Sequence, residues 1–254
     1  MPSTVVHLGF ALLLAAGVLG SAYDRRALLV VAGVVVFADL DVFTSLVIEG
    51  SHRAMFHTLL LPTFVGTYLY ADTNWREESL IRARVGDEGV RVAWVAIAAF
   101  CLSAVGLDMF TAAGVNPFYP LFDQFYAFDG KVVWSSADGW VQTFVEVRRD
   151  PPDPATGGGG GGTAVDVGQK GSSQEYRVGS GVDPSRGKEP ANVERVFPVV
   201  YTGWQTFLTL SGIVVTAVKL RGRSSWVETG PGATEGGVPS TDASETGDVE
   251  ATDD

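Results

Sequence analysis

Three histidines and three aspartates fall inside or at the ends of long apolar runs, where an ionisable side chain is costly and needs a reason. Asp39 and Asp41 sit about two-thirds of the way along the run 27–48. His7 opens the run 5–22, His57 begins the run 54–71, and Asp108 precedes the end of the run 92–113. Ser51-His52-Arg53 lies in the short connection between the second and third runs. An Asp at mid-membrane costs ~2.5–3.5 kcal/mol on insertion scales and less near the interface, so the pair opposes insertion unless something compensates it. A neutral imidazole nitrogen is the usual protein ligand for borderline divalent metals, and carboxylate oxygens complete such sites. The types therefore suit zinc, manganese or iron, with ion or proton movement through Asp39, Asp41 and Asp108 as another chemistry open to intramembrane carboxylates. A spacing of two puts Asp39 and Asp41 on opposite faces of a regular helix. Either the helix frays around Leu40, or one carboxylate binds while the other holds a partner in place.

These residues need elements that bring distant parts of the chain together. Five apolar runs, 5–22, 27–48, 54–71, 92–113 and 197–218, are each about 18 to 22 residues, enough to cross a ~30 Å hydrocarbon layer at ~1.5 Å per residue. The fold class expected is all-α integral membrane: five transmembrane helices, a small outer β-hairpin loop and a disordered acidic C-terminal tail. The first run lacks a basic leader and a small-residue cleavage motif before Tyr23, so it reads as a span, not a signal peptide. Arg25 and Arg26, then Arg76, Arg82, Arg84 and Arg91, then Lys219, Arg221 and Arg223 share one side of a five-span chain. The positive-inside rule makes that side cytoplasmic, with the N-terminus outside and the C-terminus inside. All three histidines, with Asp39, Asp41 and Asp108, then come out near the external face.

Acidic residues number 29 against 18 basic, and only Lys131, Lys170, Lys188 and Lys219 are lysine, a balance expected of a halophilic archaeal protein. No basic stripe exists to meet phosphates, so nucleic acid is excluded as a partner and membrane lipids are the expected surroundings. The single Cys101 permits neither an internal disulfide nor a cysteine zinc site, and reads as a small buried residue. The organisation expected is a membrane domain over 1–147, a flexible Gly/Pro-rich insert over 148–193 containing the hexaglycine run 157–162, a fifth helix over 194–223 and an acidic tail over 224–254. Within the first of these, 116–147 is aromatic-rich. Strands over 124–128 and 131–135 about Asp129-Gly130 would make a hairpin, because Asp-Gly accepts a type I′ turn; an interfacial aromatic belt is the other reading of the same residues.

The pattern His7, then Ala38-Asp39-Leu40-Asp41, then His52-Arg53-x3-His57-Thr58, then Leu107-Asp108, Thr111, Gly114 and Asn116-Pro117-Phe118 resembles the YdjM-like family of membrane-bound metal-dependent hydrolases. The resemblance covers 1–143, and the His-Arg-x3-His step is its most specific part. It departs at Ala104, where the family pattern has a histidine, and at Ala38, where it commonly has proline. The resemblance implies metal-assisted hydrolysis, in which a divalent ion lowers the pKa of a coordinated water toward ~7. His7, Asp41, His52, His57 and Asp108 are the expected ligands. Asp39 is the expected orienting group or general base, and Arg53 the clamp for a phosphate or carboxylate oxygen. A site at the outer headgroup level favours a lipid-linked or phosphorylated substrate. The alternative from a different class is a catalytically degenerate membrane scaffold or partner-binding protein. Transport is disfavoured because the inner halves of the first, third and fourth runs are almost wholly apolar. No Gly-x-Ser-x-Gly elbow, His-Glu-x2-His or Gly-Lys-Ser/Thr step is present, which excludes the serine-hydrolase, zincin and nucleotide-triphosphatase classes.

Overall fold

The computed structural model describes residues 2–149, 163–185, 187 and 189–228. Among these, apolar sequence between polar caps makes the helices. Helix α1 (Thr4–Val18) is apolar from Leu8 onward, with His7 in its first turns, and Gly20 at φ +56 turns the chain behind it. Asp24 then opens α2 (Arg25–Asp39), its carboxylate accepting the Ala27 N–H at 2.7 Å and satisfying a first-turn donor without a helical partner. The helical path turns at Leu40 and resumes as the single turn α3 (Asp41–Thr44). Helix α4 (Leu60–Asn74) is joined to α5 (Leu80–Ala99) by a polar clasp. The Asp72 carboxylate accepts Ser79 Oγ–H and the N–H groups of Leu80 and Ile81, while Ser79 Oγ caps α5 by accepting the Arg82 N–H at 3.0 Å. Helix α5 kinks at Gly86 (φ +69). It continues through a seven-residue π-helical stretch, Phe100–Gly106, into the short α6 (Leu107–Met109). Helix α7 spans Gly203–Glu228.

The segments 25–44 and 80–109 are long and apolar enough to cross a membrane, and α1 is a shorter apolar helix. Large apolar side chains on the outer faces of these helices stay exposed: Leu29 by 72 %, Phe64 by 76 % and Phe207 by 74 %. A water-soluble chain covers such a surface, whereas lipid solvates it. The core is instead built from small residues. Ala11, Ala15, Val31, Val35 and Ala99 are fully buried between α1, α2 and α5, beside Leu19 and Tyr23.

Helices α1 and α7 approach closely through glycine. A Cβ on Gly212 would stand 2.2 Å from the Gly9 carbonyl oxygen, and one on Gly9 would stand 2.6 Å from the Thr209 Cα. Both obstacles are backbone, so neither can swing away. Replacing Gly212 with alanine is therefore expected to cost about 1–3 kcal/mol by forcing the helices apart. Unfolding of the detergent-solubilised protein in a denaturant titration measures this, with Gly222→Ala, where a Cβ meets nothing, as the control.

Six short strands form three two-stranded antiparallel sheets: β1 (Phe125–Tyr126) with β6 (Gln169–Gly171), β2 (Val132–Ser135) with β3 (Gly139–Gln142), and β4 (Glu146–Arg149) with β5 (Thr163–Asp166). The hairpin is therefore offset from the expected one. Asp129-Gly130 does not pair 124–128 with 131–135. The reversal comes at 136–138, where Ser135 Oγ accepts the Ala137 and Asp138 N–H groups and Gly139 takes φ +70. Phe125 and Tyr126 are drawn to β6 and Val115 instead.

The described part of the expected flexible insert is likewise ordered. Asp123 accepts the Ser173 N–H at 2.9 Å and its hydroxyl at 2.7 Å, Tyr176 donates to the Ala113 carbonyl at 3.0 Å, and Gly168 accepts the Ala127 N–H at 2.9 Å. These hydrogen bonds are joined by a small apolar cluster in which Val178 and Tyr176 pack against Ala54 and Phe125. The hexaglycine run and the tail from 229 onward lie outside the described residues. Cys101 is half-buried.

Candidate functional site

Four stretches of chain deliver the polar residues to one end of the helices: the start of α1, the α2–α3 junction, the segment before α4 and the end of the π-helical stretch with α6. The α2–α3 turn at Leu40 settles how Asp39 and Asp41 share a site. Asp41 is fully buried, while the Asp39 side chain keeps 20 % of its surface.

Asp41 is the hub. Its Oδ1 accepts from His52 Nδ1 at 2.9 Å, and its Oδ2 accepts from His57 Nδ1 at 2.8 Å and from the Arg53 N–H at 3.0 Å. Wrapping 51–57 around one carboxylate keeps these residues out of the helix, so α4 begins at Leu60, six residues later than the apolar run. Arg53 stands at φ +60, a conformation costing roughly 1–2 kcal/mol for a side chain with a Cβ. The surrounding bonds hold it there: Asn116 donates to its carbonyl at 2.8 Å, and its guanidinium donates to Thr111 Oγ1 and to the Gly114 carbonyl, each at 3.3 Å. Arg53 Nη2 also stands 2.6 Å from Asp108 Oδ1, an ion pair between two buried groups. No N–H is aimed along that line, so the contact is one of charge, and Oδ1 keeps no hydrogen-bond partner.

His7 is fixed from the π-helical stretch, which frees carbonyls from the ordinary helical ladder. The Ser103 carbonyl faces His7 Nδ1 at 2.6 Å, and the Ser103 hydroxyl donates to the His7 carbonyl. A carbonyl only accepts, so Nδ1 carries the proton. The same logic protonates His57 Nδ1 against Asp41. Both rings are thereby turned so that Nε2 faces carboxylates: His7 Nε2 is 3.4 Å from Asp108 Oδ1, and His57 Nε2 is 3.4 Å from Asp39 Oδ1 and 3.5 Å from Asp108 Oδ2. These separations exceed the roughly 2.7–2.9 Å of a charge-assisted hydrogen bond. His57 Nε2, Asp39 Oδ2 and Asp108 Oδ1 are buried without a hydrogen-bond partner. Among the described residues, no three His, Cys, Asp or Glu side chains already converge as a complete ligand set.

All seven residues singled out from the sequence thus fall in one cluster: His7, Asp39, Asp41, His52, Arg53, His57 and Asp108. Of the residues that orient them, Thr111 and Gly114 belong to the pattern read from the sequence, whereas Ser103 was missed because it meets the His7 ring through its backbone carbonyl. Ala104 is fully buried among Ala38, Phe100, Val105 and Val115, an apolar neighbourhood adjoining the site. A cavity of about 690 Å³ opens beside the cluster, with Asp39, His52, Arg53 and Asp108 in its wall.

Apolar helices with exposed apolar flanks, closed at one end by buried imidazoles and carboxylates, are those of a membrane protein with a polar site at one end of its helices. Over residues 1–158 the sequence matches the model of the YdjM inner membrane protein family, and the chain belongs to that family. No curated protein and no solved structure matches it.

Proposed function

We propose that this chain is a metal-dependent hydrolase whose site lies at the outer face of the membrane and acts on a lipid-linked or phosphorylated substrate. The observation that carries the reading is the charge and direction of the buried groups. Three carboxylates, Asp39, Asp41 and Asp108, face one guanidinium, that of Arg53, leaving two negative charges in an apolar surrounding. Two imidazole Nε2 atoms with their protons committed to the opposite nitrogen point at those carboxylates. A ring nitrogen meets a carboxylate favourably only with positive charge between them, supplied either by a proton on each ring or by a metal ion, and one divalent cation supplies both units at once. The N···O separations of 3.4–3.5 Å exceed a charge-assisted hydrogen bond, so these atoms face one another without closing on each other.

In this reading His7, His57, Asp39 and Asp108 hold the ion. Asp41 orients both His57 and His52, as an outer carboxylate commonly does for a ligating histidine. Asp39 and Asp41 thereby exchange the roles expected from sequence, because the buried carboxylate is saturated by three donors while the cavity-facing one keeps an open oxygen. A divalent ion supplies activation of water or of a substrate oxygen. Arg53 keeps Asp108 ionised and turns toward the cavity as the anion contact. His52, on the Asp41 carboxylate and 12 % exposed at the cavity wall, exchanges the proton with water and leaving group.

Five crossings with the N-terminus outside accord with the alternation of helix ends: α1, α4 and α7 begin at the site, and α2 and α5 lead into it. Arg25, Arg76, Arg82 and Lys219 lie on the segments at the other end. A scaffold that has lost its ion is the second reading, favoured by Ala104 at the family's histidine position and by the incomplete ligand set. Elemental analysis of the detergent-purified protein separates the two. The hydrolase reading expects about one zinc, manganese or iron per chain, lost in His57→Ala; equally little metal in both proteins ends it.

A further inference from the structure

The wall of the cavity beside the cluster is of two kinds: Asp39, His52, Arg53 and Asp108 are polar, while Val36, Leu40 and Phe43 on the α2–α3 segment are apolar. Leu40 and Phe43 remain 42 % and 56 % exposed, so the apolar side is left open where α2 faces the hydrocarbon. The segment 179–184, outside the helices, completes the wall. Two arginines hold it. Arg177 donates to the Ser185 and Asp183 carbonyls at 2.9 and 2.8 Å, and Arg195 donates to the Gly181 and Val182 carbonyls at 3.1 and 2.8 Å. A pocket that joins charged groups to an exposed apolar wall complements an amphiphile and wastes its apolar wall on a free phosphate ester.

We infer that the site takes its substrate sideways from the bilayer: a membrane amphiphile whose hydrolysable headgroup lies at Asp39, Arg53 and Asp108 while its apolar chain leaves along Val36, Leu40 and Phe43. This rests on the hydrolase reading for the word substrate; the apolar route along Val36, Leu40 and Phe43 involves no ligand of the ion. Burying one chain segment of several methylenes against these side chains is worth ~0.8 kcal/mol per CH₂, enough to set preference between long and short chains. The 179–184 turn then borders the headgroup and limits its size.

The test uses the full chain in phosphatidylcholine nanodiscs containing a phosphatidic acid probe with a diazirine on its acyl chain. Irradiation is followed by mass-spectrometric mapping, with and without EDTA. Labelling is expected to concentrate on 36–43, to fall at least fivefold in Leu40→Trp, which fills the apolar limb, and to persist in Leu29→Trp on the lipid-facing side of the same helix. An excess of glycerol phosphate, which shares only the headgroup chemistry, is expected to leave most of the labelling in place. Labelling spread evenly over exposed residues such as Leu29 and Phe64, or unchanged by Leu40→Trp, overturns the inference, as does full competition by glycerol phosphate. Localised labelling from a protein devoid of metal retains the chain route and removes the hydrolase reading alone, so the two failures are distinguishable.

Discussion

Asp41→Asn is expected to weaken divalent-metal binding 10–100-fold, although Asp41 is not itself a ligand in the site described above. Three donors, His52 Nδ1, His57 Nδ1 and the Arg53 N–H, converge on its two oxygens. An amide offers one oxygen and adds a donor, so at least one ring loses its bond and is free to change tautomer or rotate. His57 then no longer presents Nε2 reliably to Asp39 and Asp108. The effect should appear in competition titrations against a chelator and should be recovered by raising free zinc or manganese about 100-fold, since the ligating atoms are all still there. Asp39→Ala removes an oxygen from the cluster itself, and excess metal is expected to restore its binding far less. Equal rescue of both variants would assign Asp39 and Asp41 the same role and remove the distinction drawn from their burial.

Arg53→Met is expected to destabilise the protein by about 3–5 kcal/mol, the cost of leaving one member of a buried pair without its counter-charge. The loss lies mainly at Asp108, whose Oδ1 has the guanidinium as its nearest cation at 2.6 Å. Asp108→Asn in the same chain should recover about 2 kcal/mol of it, because the uncompensated charge is then gone. Denaturant titration of both single variants and the double variant in one detergent gives the coupling directly. Strict additivity would mean that Arg53 acts only as a strut for the segment 51–57. Arg53→Gly isolates the backbone contribution, since glycine accepts φ +60 without the penalty and keeps the bonds of the main chain. It should fall less than Arg53→Ala by about 1 kcal/mol.

Much of the site was legible in the sequence because apolar runs make polar exceptions conspicuous. His7, Asp39, Asp41 and Asp108 stand out for their depth in hydrocarbon-length segments, and alternation of helix direction is enough to bring them to one face. The short connection forces His52, Arg53 and His57 to that face as well. Spacing also raised the question of a break at Leu40, which the α2–α3 turn answers. The outer segment was not legible. Its strands are two to four residues long, its contacts are carboxylate-to-backbone bonds such as Asp123 with Ser173, and its paired strands are separated by up to about forty residues. Local turn preference at Asp129-Gly130 was overruled because Phe125 and Tyr126 gain more from Val115 and β6 than from the next strand.

Composition and periodicity by themselves determined that the chain belongs in a membrane and which side chains meet at one end of it, since both follow from the cost of charge in hydrocarbon and from the length of a helix. Tertiary structure alone decided what each of those side chains does. Asp39 and Asp41 are the same residue type two positions apart; one is enclosed by three donors and the other opens on a cavity. That difference arises from the wrapping of 51–57 around Asp41, with Arg53 held left-handed by Thr111, Gly114 and Asn116, contacts between segments distant in sequence.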